Sequence, residues 1–204
     1  MTTLDQTLPY PWPYDGCLDP GRLALIVAGA QTGWIEASPD HAGVAARIAA
    51  VSRAVREAGA LVVLVHHSRP AGSRPTPFPP EHGTRPAEPG VAQSAGDLVV
   101  RSAGVDGFHG GPLDDELRTR GIDHLVLTGF GAEACVDSTL RSANDRGYEC
   151  LTVTDAVAFF SPQLGRHALA SITMSGGIFG AIGPSAALVE ALSHASSPVP
   201  MEAK

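Results

Sequence analysis

Residues 124–153 read HLVLTGFGAEACVDSTLRSANDRGYECLTV, and the order of elements in that stretch decides the fold. His124 to Leu127 is a short apolar run without alternation, the pattern of a strand covered on both faces. Cys135 to Arg146 then reads as a helix closed by Gly147, and Cys150 to Val153 is a second apolar strand. Strands joined through one helix lie parallel in a right-handed crossover. The same cycle extends in both directions. Upstream, Leu23 to Val27 predicts a buried strand. A helix follows with Ser38 as N-cap, Pro39 at its first position, Val44, Ile48, Val51 and Val55 on one face, and Gly59 past its end. Ala60 to Val65 and Leu98 to Val100 continue as strands, and Pro112 to Arg120 as a helix closed by Gly121. Downstream come a helix over Pro162 to Met174, a strand position at Ile178 and a helix over Pro184 to Ser193.

The expected fold is therefore an α/β three-layer sandwich with a doubly wound, mostly parallel sheet. One domain covers residues 23–193, preceded by a proline- and aromatic-rich arm over residues 1–22 and followed by a flexible tail over residues 194–204. Ligands of such sheets sit outside the carboxyl ends of the strands, here after Val27, Val65, Val100, Leu127 and Val153. The span Ser68 to Asp97 is too long and proline-rich for a bare connection, and loops of that kind shape binding sites or subunit contacts.

Composition removes several classes of function. The chain has 204 residues, 44% hydrophobic and 17% charged, which is globular, and its longest apolar runs fall far short of a membrane span. With 14 basic against 21 acidic side chains and no basic cluster, nucleic acid is not an expected partner. Gly104-Val105-Asp106-Gly107 lacks the lysine and helix start of a phosphate loop. Three cysteines argue against a disulfide scaffold, and the amino terminus lacks a basic and apolar leader, so a reducing, cytoplasmic location is expected.

Of the three thiols, Cys135 has the setting for chemistry. It begins a helix after the turn Gly129 to Ala134, where unpaired amides lower a thiol's pKa and can cradle an oxyanion. The competing reading is a small apolar residue that packs there. Cys17 and Cys150 have no such setting.

The run Thr128-Gly129-Phe130-Gly131-Ala132-Glu133-Ala134-Cys135-Val136-Asp137-Ser138-Thr139, continued through Ala143 to Tyr148 and Thr154-Asp155-Ala156, resembles the signature of the isochorismatase-like cysteine hydrolases. Tyr10 to Gly16 and Gly176 to Gly180 are most similar to the biuret, triuret and ureidoacrylate amidohydrolase branch. The resemblance implies a small-amide or urea-type hydrolase, usually a homodimer or homotetramer. It implies Cys135 as nucleophile, the amides of Gly131, Ala132 and Cys135 as oxyanion hole, and a cis peptide between Gly131 and Ala132. Gln31, Trp34, Arg69, Arg101, Phe108 and Ser175 are the candidate substrate-binding positions, and no metal or other cofactor is expected.

The resemblance also implies an aspartate and a lysine beside the cysteine, and here the pattern departs. Gly29 stands at the aspartate position. Ser102 stands at the lysine position, 33 residues before Cys135 and six before Phe108. Arg101 is adjacent, but neighbouring side chains on a strand face opposite ways. Ser175 replaces a glutamine that binds the substrate carbonyl in that branch. General acid–base assistance is typically worth ~10²–10⁴ in rate, so losing both groups removes most of the standard mechanism. His67, at the end of the second strand, is a candidate substitute base. Arg69 and Arg85 could hold an anionic or carbonyl group.

Three readings follow. One is a cysteine-dependent hydrolase of a small C–N bond with an unconventional base. Another is a catalytically inactive paralogue, kept as a partner subunit of an active homologue or as a ligand-binding protein. The third is a repurposed, non-hydrolytic enzyme.

Overall fold

Leu23–Ala28 (β1) is buried along all six residues, as its unbroken apolar sequence requires, and the rest of the sheet is built outward from it. The computed structural model describes residues 3–68, 91 and 93–195. On one side of β1 lie Leu61–His67 (β2) and then Leu98–Ser102 (β3); on the other lie His124–Phe130 (β4), Glu149–Ala158 (β5) and Ala181–Gly183 (β6). All five pairings are parallel, in the order β3-β2-β1-β4-β5-β6. The fold is thus the expected three-layer doubly wound α/β type. The chain winds out through β2 and β3, returns and winds out again from β4, so β1 and β4 flank the topological switch point, the usual ligand crevice.

Burial follows position in the sheet. β4 is buried at every residue, whereas the edge strand β3 alternates, with Val100 and Ser102 inward and Val99 and Arg101 exposed. The long helix His41–Glu57 (α2, after a short α1 over Thr32–Glu36) buries Val44, Ile48, Val51 and Val55, the spacing read from the sequence, and packs on β5 and on Ser185–Ala195 (α7). Leu113–Thr119 (α3), Asp137–Asp145 (α4), Pro162–Ile172 (α5) and Met174–Gly177 (α6) complete the helices.

Four local expectations are corrected. Ser38 does not cap α2: its hydroxyl donates to the Trp34 carbonyl at 2.9 Å, closing the unforeseen α1, and α2 starts at His41. α5 ends at Ile172, because Ser175 adopts φ +53° and Gly176 φ +78° and the backbone kinks there. The sixth strand is Ala181–Gly183, while Ile178 is 55% exposed on the turn before it. Cys135 precedes α4 proper, which begins at Asp137 after a π-helical turn over Ala132–Val136.

The arm docks at the amino end of the sheet. Trp12 is fully buried, its ring edge-on to His124 with centroids 5.6 Å apart, and Leu8 pairs antiparallel with Ile182 on the outer strand. The Tyr10 hydroxyl donates to Glu149 at 3.1 Å, and Arg22 forks onto Asp123 at 2.6–3.1 Å while reaching Asp15. The expected flexible tail falls almost wholly outside the described residues.

Candidate functional site

The turn that carries Cys135 is shaped by Gly131, whose left-handed backbone (φ +67°, ψ 53°) reverses the chain out of β4. The Cys135 amide, expected in an oxyanion hole, instead donates to the Gly131 carbonyl at 3.0 Å. Among the described residues the cis bonds are Leu8–Pro9 and Trp12–Pro13, so Gly131–Ala132 is trans, a correction to the sequence reading. A Cβ at Gly131 would lie 2.4 Å from the Trp34 ring and 2.7 Å from Phe160, so only glycine fits beneath that pair. Trp34 and Phe160 stack with centroids 5.4 Å apart at 24°. Glu133 holds Phe160 in place by accepting from the amides of Phe160 and Ser161 at 3.1 and 3.0 Å.

The Cys135 thiol is fully buried and donates to the Phe130 carbonyl at 2.8 Å. Among the described residues its hydrogen-bond acceptors are that carbonyl and, at 3.6 Å, the carbonyl of Gly131. Burial pushes the thiol pKa far up, outweighing the Cys135 and Val136 amides that pull it down. The thiol is therefore protonated at neutral pH, whereas reactive cysteines sit in partly exposed, electropositive surroundings.

Gly29 follows the last residue of β1 and lies against the Cys135 thiol. Its φ is +66°, and a Cβ there would come within 2.6 Å of the Phe130 carbonyl oxygen and 2.7 Å of Cys135 Sγ. The Phe130 carbonyl and the thiol together occupy the volume that a side chain at position 29 would need.

Two residues on, Gln31 clamps β1 to β2. Its side-chain amide donates to the His67 carbonyl at 3.0 Å and its carbonyl oxygen accepts from the His67 amide at 2.8 Å. His67 is 2% exposed, and its Nδ1 lies 3.0 Å from both the Gly104 carbonyl and Ser102 Oγ. A carbonyl only accepts, so Nδ1 carries the proton and Nε2 presents a bare lone pair. Ser102, paired with His67 across β2 and β3, donates to the same Gly104 carbonyl at 2.9 Å. Nε2 is buried and, among the described residues, has no hydrogen-bond partner. Burial pushes the His67 pKa down to about 4, so the ring is neutral at physiological pH.

The remaining candidates divide. Trp34 lies edge-on to His67, with centroids 6.5 Å apart, and joins the site. Arg101 points away from Ser102 on the exposed face of β3, beside His66. Phe108 stacks on Tyr148 under the Arg146 guanidinium, and Ser175 is exposed at the α6 kink. Arg69 and Arg85 lie outside the described residues. No hydrogen bond joins His67 to Cys135. Sequence reasoning did not single out Phe160 or the capping role of Glu133. The adjacent Ser161-Pro162 helix start, which leaves amides free upstream, was the available signal.

The structure is a doubly wound α/β sheet with a cysteine on the turn after its fourth strand, above the switch point. Residues 23–182 match the Isochorismatase domain, and the chain belongs to that family. It is 42% identical over 78 residues to a ureidoacrylate amidohydrolase RutB of Methylobacterium radiotolerans, a match covering 38% of this chain and 30% of that protein. The chain thus spans less than a third of that curated relative. Among solved structures it is similar to an isochorismatase family protein from Burkholderia thailandensis (TM-score 0.74, 29% identity, 86% of this chain and 97% of the other). It is also similar to an N-carbamoylsarcosine amidase from Thermoplasma acidophilum (TM-score 0.64, 28% identity, 80% and 96%).

Proposed function

We propose that this chain is a non-hydrolytic member of its family, one that binds a small molecule at the carboxyl edge without forming an acyl-enzyme. The observation that carries this reading is the interlock of Gly29 and Cys135. Sγ fills the space where a proton-carrying side chain would stand, and the thiol is spent on a backbone carbonyl. Ser102, at the position expected to carry a lysine, serves a carbonyl and a histidine rather than the thiol. Among the described residues, the fully buried thiol is hydrogen-bonded neither to a base that could take its proton nor to a cation that could stabilise its anion.

A second reading, a hydrolase of small amide or urea-type C–N bonds with His67 as base, is favoured by the bare Nε2 lone pair. It requires Sγ to leave the Phe130 carbonyl and turn toward that nitrogen. Alkylation of the native protein with iodoacetamide near neutral pH, followed by peptide mass mapping, tests the choice. The exposed Cys17 should react, and Cys135 should react no faster than the buried Cys150. Preferential alkylation of Cys135, or amide turnover lost in Cys135→Ala, would overturn the proposal. Assembly as a homodimer, a homotetramer or a hetero-oligomer with an active homologue belongs to the same proposal, and co-purification in a fixed ratio identifies the last of these.

A further inference from the structure

His67 is the one group at the carboxyl edge whose chemistry the fold fixes and then leaves unused. Its ring is locked in place by three contacts of different kinds. Gln31 grips its backbone from both sides. The Gly104 carbonyl and Ser102 hydroxyl hold Nδ1 at 3.0 Å, and Trp34 stands edge-on to the ring. A group used only for packing needs no such orientation. A buried ring nitrogen is ordinarily hydrogen-bonded, and among the described residues nothing in the chain bonds Nε2, so it is open to a donor from a ligand.

The tautomer decides what can fill it. With the proton on Nδ1, Nε2 is an acceptor and nothing else. A carboxylate brings only acceptor oxygens and meets lone pair against lone pair, whereas an N–H or O–H donor completes the ring's hydrogen bonding. We infer that His67 Nε2 is a specificity-determining contact that selects a small uncharged ligand bearing an N–H or O–H donor and rejects the corresponding carboxylate. This rests on the non-hydrolytic binding reading above and adds to it a polarity. The carbonyl of Gly104 enforces that polarity from the far side of the ring, because it holds the proton on Nδ1. Deep burial, which keeps the ring neutral, preserves the selection across the physiological pH range.

The test uses the full chain labelled with ¹⁵N and three matched probes: acetamide, acetate and N,N-dimethylacetamide. Two-bond ¹H–¹⁵N spectra report the His67 Nε2 resonance directly. The expected result is a saturable shift of Nε2 toward the hydrogen-bonded position with acetamide alone, Nδ1 remaining protonated. An equal response to all three probes, or none to acetamide, would overturn the inference. So would an Nε2 already at the hydrogen-bonded position in the free protein, since an internal water then satisfies the nitrogen. His67→Phe should abolish acetamide-dependent changes at Trp34, and His67→Gln, which keeps an acceptor, should restore part of them. If His67→Phe does not fold, the wild-type titration still decides. Mass spectrometry of the same samples keeps the two claims separate: an adduct on Cys135 refutes the non-hydrolytic reading, whereas an unmoved Nε2 with an unmodified Cys135 refutes only the role of His67.

Discussion

The two ends of the sheet are built from opposite materials. At the amino end, charges meet charges: Arg22 forks onto Asp123 and reaches Asp15, and Glu149 accepts from the Tyr10 hydroxyl and, at 3.2 Å, from the Tyr14 amide. Trp12 is driven home between them. At the carboxyl end, where the crevice of a doubly wound sheet lies, the central groups are neutral: a protonated thiol, an uncharged imidazole, a serine and a glycine. The difference teaches that the arm is held by charge pairs, whereas the groups packed directly around Cys135 among the described residues are neutral. With Glu133 turned onto the Phe160 and Ser161 amides and Arg101 on the outer face of β3, the groups nearest the thiol among the described residues are suited to contacting something uncharged.

Three perturbations probe that contrast, beginning with the amino end. Trp12→Ala should cost about 3–5 kcal/mol of stability by chemical denaturation, the range for deleting a buried large aromatic side chain. A loss under ~1 kcal/mol would mean the arm is an ornament and the contrast is false. The carboxyl end should then show itself through pH. His67 takes up a proton near 6.5 when unfolded but only near 4 when folded, so acid favours the unfolded chain. Its contribution is complete above pH 6.5 and is lost as pH falls toward 4, about 3 kcal/mol in all. The measurement is the denaturation midpoint against pH for wild type and His67→Gln, and an unchanged slope in the variant would refute the assignment. The third perturbation is Gly29→Ala. Placing a Cβ at a left-handed residue costs about 1–3 kcal/mol, and the clash with Sγ adds to it. The same substitution in a Cys135→Gly background should cost measurably less, and strict additivity would deny the contact between the two positions.

Much of the architecture was legible because burial on both faces of a central strand writes an unbroken apolar run, as in Leu23 to Val27 and His124 to Leu127. Helical spacing likewise exposed the inner face of α2 through Val44, Ile48, Val51 and Val55. Boundaries were lost where a side chain had two possible partners. Ser38 offers a good cap, but its hydroxyl closes the helix before it instead of opening the one after. Ile178 looks like a strand residue until the left-handed Ser175 and Gly176 bend the chain and move the strand to Ala181–Gly183. At the site, the sequence located Cys135, Gly29 and His67 as individual residues. What it could not contain is the filling of one position by the side chain of another 106 residues away, since that contact exists only after β1 and β4 pair.

That contact also fixes which histories are open to the protein. Positions 29 and 135 behave as a lock and its bolt. With the thiol seated against the Phe130 carbonyl, an aspartate at position 29 has no volume to enter, and with a side chain already at 29 the thiol has no such seat. A side chain at position 29 meets the Phe130 carbonyl as well as the thiol in a left-handed backbone, so restoring a proton carrier there demands a shift of the turn after β4 as well as of the Cys135 side chain. The glycine is therefore a commitment rather than an absence, and an engineer seeking to return hydrolysis to this scaffold must withdraw the bolt before turning the key.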